Sequence, residues 1–110
     1  MIVSFDFDDT LDTPEGMSYA RDLISRGVEL HITTQRPPTF NRDVFKVAKQ
    51  LGVELQNIHF CGIQSKEYVL EDIDYAFHLD DNEEEVRNVP RAVLFEGNYK
   101  SKCEDLLSTK

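Results

Sequence analysis

The N-terminal segment "MIVSFDFDDTLD" runs from an apolar stretch straight into Asp6, Asp8, Asp9, Thr10 and Asp12. Like charges this close repel by roughly 1 kcal/mol per pair at ~4 Å in water, and by more in a drier site. Such a cluster calls for a cation, a proton or a turn. A second acidic pair, Asp80-Asp81, closes another apolar run, "YAFHL". Carboxylate-rich sites suit Mg²⁺, which takes few protein ligands and keeps several waters. Aspartates also cap turns and helices, and one Asp-rich turn would need no other explanation. Two of them, each directly after a separate apolar run, favour a metal. Thr34-Gln35-Arg36 offers a hydroxyl and backbone N–H groups that can hold a phosphate oxygen, although an ordinary turn before Pro37 uses the same residues. Lys66, in "GIQSKEY", is a compact cation suited to a phosphoryl group, although taken alone it reads as a plain surface lysine.

These residues must be brought together by the elements between them. Residues 2–6, 28–33, 57–61, 75–79 and 92–95 read as five short strands. Thr13-Pro14 starts a helix with a hydroxyl cap and proline at the first helical position, and Gly27 stops it. Phe40, Val44, Val47, Ala48 and Leu51 share one face of a second helix, which Gly52 ends. Short helices follow Ser65 and Asp81, and Tyr99, Cys103, Leu106 and Leu107 mark a last amphipathic helix. Strands alternating with helices predict an α/β fold: a single doubly wound, Rossmann-like domain over 1–110, with a parallel sheet covered on both faces. In such sheets ligands bind beyond the carboxyl ends of the strands, where the winding reverses. The polar groups collect at those ends: Asp6/Asp8, Thr33/Thr34 and Asp80/Asp81. Strand alternation points Asp6 and Asp8 to one side, so that acids from strands one and four can converge.

The bulk composition narrows the partners. A net charge of −9 argues against an extended duplex nucleic-acid face, which needs clustered Lys and Arg. No apolar run approaches the ~20 residues of a membrane span, and no basic region precedes the first apolar stretch. Cys61 and Cys103 lack metal-ligand or redox spacing and read as packed thiols of a reducing, cytoplasmic protein. His31, His59 and His78 lie on separate strands and read as packed or edge histidines. Glu83-Glu84-Glu85 sits where acids favour a helix N-terminus.

Taken in order, the motifs resemble those of the haloacid dehalogenase-like superfamily. "FDFDDTL" is similar to its first motif, "HITTQRP" to its second, Lys66 to its third and "FHLDDN" to its fourth, from about Val3 to Asn82. The resemblance implies strand order 3-2-1-4-5 and Mg²⁺-dependent hydrolysis of a phosphomonoester through an aspartyl-phosphate. It implies Asp6 as nucleophile and Asp8 as general acid and then base, with Thr34 and Lys66 on the phosphoryl oxygens. Mg²⁺ would be held by Asp6, the Asp8 carbonyl and Asp80, with Asp81 behind; the last two roles are interchangeable. Thr10 would brace the loop after strand one, and Arg36 is a possible substrate contact. The chain has no room for the cap domain many relatives insert. That leaves an open site for a small metabolite, a nucleotide or an exposed phosphate on a macromolecule, or one covered by a second subunit in a homo-oligomer. Two other classes stay open: a catalytically silent phosphate- or metal-binding module of the same fold, and a signalling receiver domain. The receiver pattern would put its phosphoacceptor after strand three, where this chain has Cys61-Gly62.

Overall fold

The computed structural model describes Met1–Lys110. Its elements run β1 (Ile2–Phe5), α1 (Pro14–Ser25), β2 (Glu29–Thr34), α2 (Arg42–Leu51), β3 (Ile58–Phe60), α3 (Lys66–Leu70), β4 (Tyr75–Asp80), α4 (Glu83–Asn88), β5 (Ala92–Leu94) and α5 (Tyr99–Ser108). All five strands are parallel, in the order β3-β2-β1-β4-β5. The α/β fold and the order anticipated from the sequence are therefore both present. The order also differs from the 2-1-3-4-5 arrangement of flavodoxin-like receiver domains.

The order dictates the layers. The chain steps from β1 to β2 to β3, then returns past β1 to β4 and on to β5. Parallel crossovers are right-handed, because a twisted strand feeding a helix packs back only that way. So α1 and α2 cover one face, and α3 and α4 the other. Tyr99 of α5 meets Tyr19 of α1 edge-on, 5.8 Å between ring centres, so α5 joins the first face. The winding reverses between β2 and β4, with β1 at the centre, and the crevice beyond its carboxyl end is where a ligand site is expected.

The first face is apolar throughout. Phe5 lies level with Ile32 and Leu79, Ile32 with Ile58, and Leu79 with Val93. This row is buried against Tyr19, Ala20 and Leu23 of α1, Val44, Ala48 and Leu51 of α2, and Cys103 of α5. Phe5 and Phe77 pack 6.3 Å apart under Tyr19. The second face differs. It carries Ser4, His31, Thr33 and His78, all buried. Only a small apolar group, Leu70, Tyr75 and Val89, closes it beneath the two short helices. An irregularity in β4 sets this up: Ile2 lies opposite Tyr75, but Ser4 lies opposite His78. One extra residue in β4 thus keeps Tyr75 and His78 level with Ile2 and Ser4 on this face.

Local sequence explains most element ends. Thr13 caps α1 by accepting the Gly16 N–H at 3.0 Å, with Pro14 next. Gly16 itself lies against the loop after β1; a methyl group there would sit 1.8 Å from the Thr10 carbonyl oxygen. Helix α2 begins at Arg42, not at Phe40 as its apolar spacing predicts. The Phe40 N–H closes a turn on the Pro37 carbonyl, and the ring is 66% exposed. Both cysteines are buried free thiols, as expected. No helix is long and apolar enough to cross a membrane.

Candidate active site

Strand β1 stops at Phe5, and the chain turns sharply just beyond it. The Asp6 N–H still bonds the Leu79 carbonyl at 2.8 Å, which ties Asp6 to the end of β4. The Leu11 N–H returns to the Asp6 carbonyl at 3.1 Å, and Asp9 takes φ 59°, a left-handed conformation that Asp tolerates better than most residues. The Thr10 carbonyl accepts the Thr13 hydroxyl at 2.7 Å, and its own hydroxyl donates to Asp81 Oδ1 at 3.3 Å. The bracing role suggested for Thr10 thus has a visible basis. Because Asp8 lies in the turn and not in the strand, simple alternation does not set its direction.

Lys66 is the centre of the site. Far from a surface residue, it is 2% exposed at the start of α3. Its ammonium donates to Asp6 Oδ1 at 2.8 Å and to Asp80 Oδ2 at 2.6 Å. Ser65 caps α3 by accepting the Tyr68 N–H at 3.1 Å. The Gln35 amide donates to the Gly62 and Gln64 carbonyls at 2.6 and 2.7 Å, which ties the end of β2 to the loop that delivers Lys66. On β4, Asp80 is fully buried, and its Oδ1 accepts the Asn82 N–H at 3.1 Å. Asn82 also caps α4 by accepting the Glu84 and Glu85 N–H groups.

Asp6, Asp80 and Asp81 each offer a carboxylate oxygen, and these oxygens lie within 4.8 Å of one another. One ammonium faces these three acids, so the site is short of positive charge. The imbalance shows in the acids themselves. Burial, helped by the neighbouring Asp80 charge and only partly countered by Lys66, pushes the Asp6 carboxyl up to about 8. Burial pushes Asp80 up too, but the His78 hydrogen bond and the Lys66 charge outweigh it and hold the group down at about 2. For Lys66, burial disfavours the ammonium, and the two carboxylates more than offset it. A divalent cation would supply the missing charge. The three carboxylate oxygens lie close enough together for one such ion to be shared among them.

Around this centre lies a small cavity of about 220 Å³, walled by Asp6, Asp8, Lys66, Asp80, Asp81 and Glu85 among others, without one apolar residue. Asp8 reaches it with a different partner. Arg36 donates to both of its oxygens, Nε to Oδ2 at 3.0 Å and Nη2 to Oδ1 at 2.7 Å, while lying over the Phe7 ring at 5.1 Å. The Asp8 carboxylate is thus apart from the three-acid group, and Arg36 is bound to an acid of the protein. Thr34 closes β2, fully buried; its hydroxyl accepts the Arg36 N–H at 3.2 Å and keeps its own proton to give.

The structure also gives a place in the site to residues that the sequence assigned other roles or none. Asn82 joins the wall, as does Glu85, expected only to favour a helix N-terminus. His78, expected as a packed or edge histidine, reaches the site directly, with Nε2 2.8 Å from Asp80 Oδ2. The one signal for it was polar residues inside strands that ought to be apolar. His31 and His59 form a separate stacked pair, Nδ1 to Nε2 at 2.9 Å, with Glu29 on the far nitrogen at 2.7 Å. Comparison of the chain with family models, with curated proteins and with solved structures finds no match.

Proposed function

We propose that this chain is a Mg²⁺-dependent phosphatase of the haloacid dehalogenase-like kind, acting on a phosphomonoester through Asp6. The observation that carries the reading is the buried Lys66 ammonium bridging Asp6 and Asp80, beside three carboxylates that converge within 4.8 Å. Such a centre suits a dianionic group brought in with a cation. A bound Mg²⁺, held by Asp6, Asp80 and Asp81 with the Asp8 carbonyl, would neutralise charge on the phosphoryl oxygens.

The residues then divide the work. Asp6 attacks phosphorus, a new bond to its carboxylate oxygen forms, and the ester P–O bond breaks. Asp8 gives its proton to the departing oxygen, then removes one from water as that water attacks the aspartyl-phosphate. The bond to Asp6 breaks, phosphate leaves, and Asp8 is protonated again. Lys66 and the Thr34 hydroxyl steady the phosphoryl oxygens. Asp8 can act only when Arg36 releases one of its oxygens. Their ion pair is bidentate but partly exposed and holds them by on the order of 1 kcal/mol, so release costs little. The open cavity leaves room for a nucleotide, a sugar phosphate or a phosphate on a macromolecule, or for a second subunit as cover.

The Arg36 clamp also supports a second reading, a phosphate- or metal-binding module without turnover, since it occupies both oxygens of the acid. Phosphate release from an aryl phosphate separates the two. The enzyme reading expects turnover that stops with EDTA and falls by at least about 10³-fold, some 4 kcal/mol, in Asp6→Asn. Turnover that survives either change refutes it, and metal binding without turnover favours the module.

A further inference from the structure

A line of buried polar side chains runs from the interior of the sheet into the site. Thr33 Oγ1 lies 2.7 Å from Ser4 Oγ, and Ser4 Oγ lies 2.8 Å from His78 Nδ1. His78 Nε2 lies 2.8 Å from Asp80 Oδ2, which also takes the Lys66 ammonium at 2.6 Å. Ser4, Thr33, His78 and Asp80 are each 0% exposed. Burying this many polar groups under a sheet is unfavourable unless each is matched, and an apolar set would pack there at least as well. Every one of them is matched: no buried side-chain polar atom of the protein lacks a partner.

The directions of these bonds follow from the Asp80 end. An ionised Asp80 only accepts, so His78 Nε2 carries the hydrogen. His78 is fully buried and its Nδ1 faces a hydroxyl with no acid beside it, so Nδ1 is an acceptor. Ser4 must then donate to Nδ1, and Thr33 must donate to Ser4. One tautomer and one ring orientation satisfy the whole line. At its far end, Asp80 Oδ2 receives two donors, while Oδ1 receives only the Asn82 N–H. Oδ1 therefore keeps a free lone pair, and Asp80 offers one oxygen within 4.8 Å of those of Asp6 and Asp81.

We propose that His78 is a positioning residue that, through its Nε2–H, locks Asp80 so that Oδ1 faces the cation position, with Ser4 and Thr33 fixing the imidazole tautomer. This rests on the metal-dependent reading of the site. A hydrogen bond from a partner of this kind orients a carboxylate ligand, and its loss typically weakens metal binding or activity by about 10- to 100-fold.

The test uses the full chain, with Mg²⁺ and Mn²⁺ affinities from calorimetry and aryl-phosphate kinetics, for wild type, His78→Leu, His78→Gln and Ser4→Ala. Gln places an amide N–H where Nε2–H was, and Leu places nothing. His78→Leu is expected to lose about 10- to 100-fold in cation affinity, with His78→Gln recovering most of it and Ser4→Ala falling between. Nitrogen-15 spectra of the wild type are expected to show the Nε2–H tautomer, a readout that needs no variant to fold. A structural filler would leave all three affinities alike. That result, or an Nδ1–H tautomer, overturns the positioning role while leaving the phosphatase reading intact. A wild-type chain that binds neither ion overturns both.

Discussion

The two faces of the sheet are built on opposite principles. Under α1, α2 and α5, Phe5, Ile32, Phe77 and Leu79 pack among other apolar side chains, and the groups there that can ionise, the Cys103 thiol and the Tyr19 and Tyr99 phenols, are held protonated by burial. Under α3 and α4, the same strands present Ser4, Thr33, His78 and Asp80, and a lysine is buried among them. The first face stabilises by removing apolar surface from water, at roughly 25 cal/mol per Å². The second gains little in that way, and its hydrogen bonds roughly repay lost solvation. The contrast places apolar packing on one side of a five-strand sheet and a buried polar network on the other, with Asp6 at the tip of the strand they share.

The contrast can be broken from either side. Phe77→Ala should produce the largest change in stability, about 3–5 kcal/mol in urea unfolding, because it opens a cavity between Phe5 and Tyr19. Added Mg²⁺ should not selectively repair it. Lys66→Met should cost about 3 kcal/mol in metal-free protein by leaving two buried carboxylates without their cation. Here Mg²⁺ should restore much of the loss, and equal metal responses in the two variants would erase the distinction drawn between the faces.

Acidity sharpens the same point. Asp6 holds its proton more tightly folded than unfolded, up to about 8. Ionising it therefore destabilises the metal-free protein as pH rises from the ordinary carboxylate range to about 8, and acidification across that window should stabilise it. Asp80 works the other way. Held down at about 2, it contributes stability above the ordinary carboxylate range that disappears as pH falls toward 2. Melting curves in EDTA should thus peak near the ordinary carboxylate range, about pH 4–5. Mg²⁺ at about 100 times its Kd should add about 2.7 kcal/mol near pH 8 and flatten the upper arm. A metal-free protein that grows more stable from pH 5 to 8 would contradict the charge balance assigned to the site. The smallest effect belongs to Arg36→Ala, within about 1 kcal/mol in stability and with turnover retained. A loss of activity as complete as that of Asp6→Asn would move Arg36 into the catalytic machinery.

Much of the architecture was legible because it follows from local pattern. Apolar runs gave the five strands, Thr13-Pro14 gave the start of α1, and the acidic tips of β1 and β4 located the site. What escaped depends on contacts distant in sequence. Phe40 continues the spacing of α2, but the turn closed on Pro37 leaves it outside the helix. The sequence marks Lys66 as a phosphoryl-binding candidate, but its burial was not legible, because it depends on Asp6, 60 positions away, accepting a hydrogen bond from its ammonium. Asp8 was read by strand alternation, yet β1 had already ended at Phe5, and Arg36 then settled its partner. His78 joins the site because β4 carries one extra residue against β1, and a bulge of that kind leaves no mark in "YAFHLD".

The account turns on whether Asp6 accepts a phosphoryl group, and acid-quenched intact-mass spectrometry of Asp8→Asn with an aryl phosphate and Mg²⁺ asks this directly. An aryl leaving group needs little help from Asp8, whereas the water that completes the cycle does, so the phosphoenzyme should accumulate. The expected result is one added phosphoryl group, mapped to Asp6 and absent in EDTA. Phosphate release with Asp6 never labelled, or a label on any other residue, would contradict it.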